Sequence, residues 1–74
     1  METSGKIKIL NTGNEIEIIG NREGLKWLAD ICISMSEITD DEAKTPANHY
    51  HIADYMNNAE EGSIPLIILC KPDL

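Results

Sequence analysis

Residues 64–70, near the C-terminus, form the longest apolar run of the chain, interrupted by one proline and ending in a cysteine. The run is too short to cross a membrane as a helix, which takes about 20 residues. It is also shorter than an ordinary buried helix, so it predicts a β-strand that needs apolar surroundings on both faces. A chain of 74 residues has few elements with which to cover such a strand. Either the strand lies within a well-covered sheet, or another molecule shields one of its faces.

Two alternating segments near the N-terminus predict a β-hairpin. Residues 6–10 and 15–19 alternate polar with apolar side chains, and the Asn and Gly content of residues 11–14 is typical of a turn. Closing the hairpin at this turn gives two apolar pairs on one face and one pair of opposite charge on the other. These pairs are Ile9 with Ile16, Ile7 with Ile18, and Lys8 with Glu17.

A helix is predicted over residues 22–38, after the strand breaks at Gly20. Asn21 is a favourable N-cap, and Glu23 places a negative charge at the positive end of the helix dipole. On a helical wheel, one broad arc is apolar and should pack on the sheet. This arc consists of Leu25, Trp27, Leu28, Ala29, Ile31, Cys32 and Met35.

The second half of the chain predicts two more strands. Residues 39–48 form an acidic connection without periodicity, and residues 49–53 then alternate again, with Tyr50 and Ile52 on one face. A polar turn region, residues 57–63, leads into the last strand. The predicted fold is therefore a single α+β domain over residues 1–74, in the order β-β-α-β-β. We expect a four-stranded, mainly antiparallel sheet with the helix packed on one face.

One helix covers only one face of such a sheet. The inner face is predicted to contain Ile7, Ile9, Ile16, Ile18, Tyr50, Ile52, Leu66 and Ile68. The outer face is polar at the first hairpin, but at the last strand it carries Ile67 and Leu69, beside His49 and His51 on the neighbouring strand. Ile67 and Leu69 are thus expected to lack cover from the chain itself.

The charge balance restricts the class of partner. The net charge of −7 argues against nucleic acid as a partner and favours a basic protein, because complementary fields speed encounter. The acidic run of Asp40, Asp41 and Glu42 is a candidate contact for such a partner. The alternative is that the acidity only keeps a small protein in solution, with the run as a solvated loop.

The sequence contains no motif that predicts an enzyme, a cofactor or a metal centre. His49 and His51 have strand spacing, but no cysteine pair or helical His-x-x-x-His accompanies them, so a histidine-based metal or ligand site is the weaker alternative. We expect Cys32 and Cys70 to be reduced thiols in the core. Residues 1–4 lack the features of an export signal, and no segment predicts a membrane span. We therefore expect a cytoplasmic protein without a membrane partner.

Several short motifs resemble a family of small bacterial immunity proteins of polymorphic toxin systems. They are Gly20-Asn21-Arg22-Glu23-Gly24-Leu25 followed by Leu28-Ala29, then His49-Tyr50-His51, and Gly62-Ser63 ahead of Leu66-Ile67-Ile68. The resemblance extends over residues 15–71. It implies a cytoplasmic, single-domain, non-enzymatic protein that protects the producing cell by binding a cognate toxin.

The leading hypothesis is accordingly an immunity-type protein that occludes a cognate toxin, expected to be basic. The candidate partner-contact residues, which come from the strand pattern and the acidic run, are Ile67, Leu69, His49, His51, Asp40, Asp41 and Glu42. The alternative hypothesis is a homodimer that associates through the open sheet face at Ile67 and Leu69.

Overall fold

Two β-hairpins flank one α-helix in the computed structural model, which describes residues 5–74. The elements are β1 (Ile7–Asn11), β2 (Ile16–Gly20), α1 (Arg22–Ser36), β3 (His49–Ile52) and β4 (Leu66–Leu69), with 3₁₀-helical turns at Glu42–Lys44, Pro46–Asn48 and Asp54–Met56. The α+β class and the order β-β-α-β-β are confirmed. Residues 1–4, on which the expectation of no export signal rests, lie outside the described residues. Between residues 5 and 74, no helix is both long and apolar enough to cross a membrane.

The four strands do not join into the single sheet that the sequence predicted. β1 pairs antiparallel with β2, and β3 pairs antiparallel with β4, as two separate two-stranded sheets. An irregular segment, residues 60–64, lies along the other edge of β1 instead of a strand. Its backbone has a positive φ of 86° at Gly62, which regular strands do not adopt.

Segment 60–64 joins the two hairpins by three hydrogen bonds to β1. The backbone N–H of Glu60 donates to the Ile7 carbonyl at 2.7 Å, and that of Ile64 donates to the Ile9 carbonyl at 2.9 Å. Between them, the Ile9 N–H donates to the Ser63 hydroxyl oxygen at 3.1 Å. A buried side chain thus takes the place of a backbone partner, so both edges of β1 are hydrogen-bonded without a third strand.

The first hairpin is present, but its register differs from the prediction by two residues. Ile9 lies opposite Ile18 rather than Ile16, and Lys8 lies opposite Ile19 rather than Glu17. The turn is centred one residue later than expected, since the Thr12 N–H donates to the Glu15 carbonyl at 2.9 Å across residues 13 and 14. Gly13 adopts a φ of 97°, as a type II′ turn requires at this position. A shift of two residues keeps each side chain on its predicted face.

Helix α1 begins as predicted and ends at Ser36, two residues earlier than expected. The Asn21 side-chain oxygen accepts a hydrogen bond from the Gly24 N–H at 2.8 Å, which confirms the N-cap. The buried side of the helix differs from the predicted arc. Leu25, Ala29 and Cys32 are exposed, and the side that meets the hairpins consists of Gly24, Trp27, Leu28, Ile31 and Met35.

A close contact at Gly24 accounts for the difference between the predicted and the observed buried side of α1. A Cβ atom at Gly24 would lie only 2.1 Å from the carbonyl oxygen of Lys6, so the helix backbone approaches the start of β1 most closely at this residue. Glycine has no side chain to mark the buried side of a helix in a hydrophobic pattern. The predicted apolar arc was therefore centred on the wrong residues. Both cysteines are free thiols, but Cys32 is exposed and Cys70 is half-buried, so the prediction that both lie in the core is wrong for Cys32.

The core is small and centred on β1. Ile7, Ile9 and Ile52 are fully buried, and the half-buried side chains packed around them are Trp27, Leu28, Tyr50, Ala59, Ile64, Leu66 and Ile68. The predicted inner face is thus correct for the second hairpin and for β1. In β2, Ile16 and Ile18 lie on the predicted face but remain 54% and 43% exposed. The helix α1 therefore covers the outlying strand β2 only in part.

Gly24→Ala should destabilise the fold by about 2–3 kcal/mol, because the added methyl group overlaps the Lys6 carbonyl and must push the helix away from β1. Urea denaturation measures the change. Asp30→Ala on the exposed side of the same helix is the control and should change the free energy of unfolding by less than about 0.5 kcal/mol. Equal stabilities for the two variants would disprove the close approach.

Ser63→Ala should cost about 1–3 kcal/mol, because it leaves the N–H of the buried residue Ile9 without a hydrogen-bond partner. Ser34→Ala, at an exposed helix position, is the matched control. Thermal unfolding of both variants measures the difference. A Ser63→Ala variant as stable as wild type would show that the hydroxyl is not needed to join the hairpins.

Candidate functional site

The register of the second hairpin brings four of the candidate residues onto one surface. His49 lies opposite Leu69 and His51 lies opposite Ile67, so the four side chains share the face that points away from the core. We call this the histidine–aliphatic face. Ile67 and Leu69 are 55% and 49% exposed there, whereas Ile68 between them is half-buried on the inner face. The apolar run of β4 is therefore covered on one side only.

The two imidazoles lie against each other at one side of this face. Their ring centroids are 4.9 Å apart with an interplanar angle of 86°, an edge-to-face arrangement. Nδ1 of His49 is 3.0 Å from Oδ1 of Asn48. Nδ2 of Asn48 donates to the Ala43 carbonyl, so the Oδ1 atom of Asn48 faces the ring of His49.

Asn58 holds the far end of β3 in place, and the sequence analysis did not identify it. Its side chain is 6% exposed. Oδ1 accepts from the Ala53 N–H at 2.8 Å, and Nδ2 donates to the His51 carbonyl at 2.9 Å. The residue before it, Asn57, adopts a φ of 59°, a conformation that Asn tolerates better than most residues. In the sequence, the Asn57-Asn58 pair indicates an ordered turn, whereas the prediction for this region is only a polar turn.

The residues of the acidic run differ in their contacts. The Thr39 N–H donates to the Glu42 carboxylate at 2.8 Å, and the Glu42 N–H donates to the Thr39 hydroxyl at 3.1 Å, which forms a capping box. Glu42 is thus used to hold the turn. Asp40 and Asp41 are exposed and make no ion pair with any residue of the described part. Their charges are free to act on a partner.

Asp40 of the acidic run lies near the residues that precede β3 and follow β4. Asp40 lines an open depression together with Asn48 and Cys70, the residue that follows Leu69. The depression is also lined by Ala43, Lys44, Lys71, Pro72 and Asp73. The Cys70 N–H donates to the Asn48 carbonyl at 2.9 Å, which ties this region to the start of β3. Asp40 is the candidate residue in this lining, and by strand alternation Cys70 falls on the side of β4 opposite Leu69.

The geometry gives the histidine pair little support as a metal site. Over residues 5–74, no group of three or more His, Cys, Asp or Glu side chains is placed to hold a metal ion. Asp54, the nearest carboxylate in sequence, instead accepts a hydrogen bond from the Gly62 N–H at 3.3 Å. Two imidazoles without further ligands fall short of the four that a structural zinc site requires.

A comparison with protein families identifies the chain. The family model for Immunity protein 32 matches residues 15–72, a span that contains β2, α1 and the whole second hairpin. The chain therefore belongs to this immunity protein family of polymorphic toxin systems, which confirms the resemblance seen in its motifs. No curated protein and no solved structure is significantly similar to the chain.

Proposed function

We propose that this immunity protein neutralises a cognate toxin by binding it through the histidine–aliphatic face, without catalysis. The observation that carries the proposal is the exposure of Ile67 and Leu69 side by side with two histidines on a regular hairpin. An apolar centre with a polar border is the usual anatomy of a protein–protein interface. The toxin would be blocked because the bound protein occupies its working surface.

The second hairpin is suited to presenting a preformed surface. Tyr50, Ile52, Leu66 and Ile68 fix its inner side in the core, and Asn58 fixes the end of β3. Side chains that are already held in place lose less conformational freedom on binding, so more of the contact energy remains as affinity. Each buried CH₂ group contributes about 0.8 kcal/mol, which makes Ile67 and Leu69 the expected anchors.

Charge supports a basic partner. The chain carries a net charge of −7, Asp40 and Asp41 are exposed without an ion pair in the described part, and Asp40 lies near the end of the second hairpin. A toxin with a basic working surface, such as one that acts on nucleic acid, would be attracted over a distance of about 10 Å at moderate salt. The acidic residues would then increase the association rate, whereas the apolar residues would slow dissociation.

Replacing both Ile67 and Leu69 by Glu should weaken binding of the cognate toxin domain by at least about 100-fold, because two charges would be buried in an apolar contact. Titration calorimetry with the toxin domain encoded by the neighbouring reading frame measures the loss. Ile33→Glu is a matched control, since Ile33 has the same 55% exposure as Ile67 but lies on α1. The control should bind within about threefold of wild type.

The same pair of variants tests the mechanism in cells. Cells that express the toxin domain should survive with wild type or Ile33→Glu and die with the double Glu variant at equal protein levels. Survival with the double variant would contradict the proposed interface. A neighbouring gene product that is neither toxic nor bound would contradict toxin neutralisation itself.

A second candidate function uses the same face for self-association. The exposure of Ile67 and Leu69 also suits an isologous dimer through the open side of the hairpin. Sedimentation velocity at tens of micromolar protein should then show a dimer for wild type and a monomer for Ile67→Glu. Monomers in both cases exclude the dimer and leave the face available to a toxin.

A further inference from the structure

Strand β2 lies at the outer edge of the first hairpin with unpaired backbone groups. At the two ends of the β1–β2 ladder, the Asn21 N–H donates to the Lys6 carbonyl at 3.2 Å and the Thr12 N–H donates to the Glu15 carbonyl at 2.9 Å. Antiparallel pairing alternates, so the odd-numbered residues of β2 direct their backbone groups toward β1. The N–H and C=O groups of Ile16 and Ile18 therefore point away from β1.

These outward groups have no partner in the described part of the chain. The corresponding groups on the other edge of the hairpin, those of Ile7 and Ile9, bond segment 60–64. At Ile16 and Ile18, by contrast, no hydrogen bond fills the edge within residues 5–74. Exposed edges are commonly protected by proline, lysine or a bulge, and β2 has none of these. The edge is open to an added strand.

The side chains of β2 indicate which residues an added strand should carry. Ile16 and Ile18 are half exposed on the face toward α1, where Leu25 is 46% exposed. Leu25 adjoins this face, since its Cγ atom lies 3.0 Å from where a Cβ of Gly20 would be. Successive apolar side chains of an added strand would contact Ile16, Ile18 and Leu25. This contact would cover the apolar side chains of β2 that the helix leaves partly exposed.

The opposite face of β2 would attract basic side chains of an added strand. Glu17, and Glu15 just before β2, are exposed on this face beside Ile19, which is 49% exposed, and neither carboxylate forms an ion pair within the described residues. The register places Leu10 rather than Lys8 opposite Glu17. A strand that alternates apolar with basic residues would set basic side chains across from Glu15 and Glu17.

A second copy of this chain fits the edge poorly. Two copies would each bring a charge of −7. In the registers that pair Ile16 or Ile18 with Ile18 of the second copy, the two Glu17 carboxylates become directly opposite or diagonal neighbours. Like charges at these positions are unfavourable, whereas a basic partner removes the repulsion.

We infer that the toxin adds one of its own strands, alternating basic and apolar residues, to the free edge of β2. Main-chain hydrogen bonds would supply affinity, and the two faces of β2 would supply selectivity. This inference rests on the proposed function, because the toxin is the partner. It adds a contact on the first hairpin, separate from the histidine–aliphatic face.

Amide hydrogen exchange tests the added strand directly on the wild-type protein. In the complex with the toxin domain, the amides of Ile16 and Ile18 should exchange at least about tenfold more slowly than in the free protein. The amide of Asn14, in the adjoining turn, should remain fast. Unchanged exchange at Ile16 and Ile18 in a complex that forms would overturn the inference and leave the proposed function standing. Absence of any complex would overturn both.

A pair of substitutions at Ile18 separates the backbone from the side chain. Ile18→Pro removes an outward N–H and leaves the ladder to β1 intact, and proline is tolerated on edge strands. Ile18→Ala keeps the N–H and shortens the side chain. If the toxin bonds this N–H, Ile18→Pro should bind about tenfold more weakly than Ile18→Ala, with both variants checked for folding by thermal unfolding. Equal affinities of two folded variants would overturn the inference.

Discussion

Strand β1 is the element on which the rest of the structure depends, because it is hydrogen-bonded along both edges and carries two of the three fully buried side chains. β2 occupies one edge, and the other is filled by Glu60, Ser63 and Ile64. These bonds bring the C-terminal hairpin to the N-terminal one across more than 50 residues of sequence. Without these hydrogen bonds, segment 60–64 would not be joined to β1. A two-stranded hairpin alone is only marginally stable.

The single helix leaves two apolar surfaces of the molecule uncovered. β2, at one edge, retains exposed isoleucines, and the outer face of the second hairpin retains Ile67 and Leu69. The elements described between residues 5 and 74 leave both surfaces exposed. Partner binding through them is consistent with the immunity protein family to which the chain belongs.

The sequence predicted what depends on local pattern. Strand alternation correctly separated Tyr50 and Ile52 from His49 and His51, and Asn21 correctly marked the start of the helix. It missed what depends on contacts distant in sequence: the bond from Ile9 to Ser63 and the contact of Gly24 with Lys6, neither of which leaves a trace in hydrophobic periodicity. The prediction that the four strands form one sheet was therefore wrong. The acidic run was likewise treated as uniform, although Glu42 caps its own turn.

If Ile67 and Leu69 form the middle of the toxin interface, with the histidines beside them, their methyl groups should be buried in the complex. Methyl NMR spectra of the protein, free and bound to its toxin domain, measure this. The methyl resonances of Ile67 and Leu69 should shift and lose solvent accessibility in the complex, while those of Ile33 on α1 stay unchanged. A complex in which Ile33 shifts and both Ile67 and Leu69 remain accessible to solvent would exclude this interface.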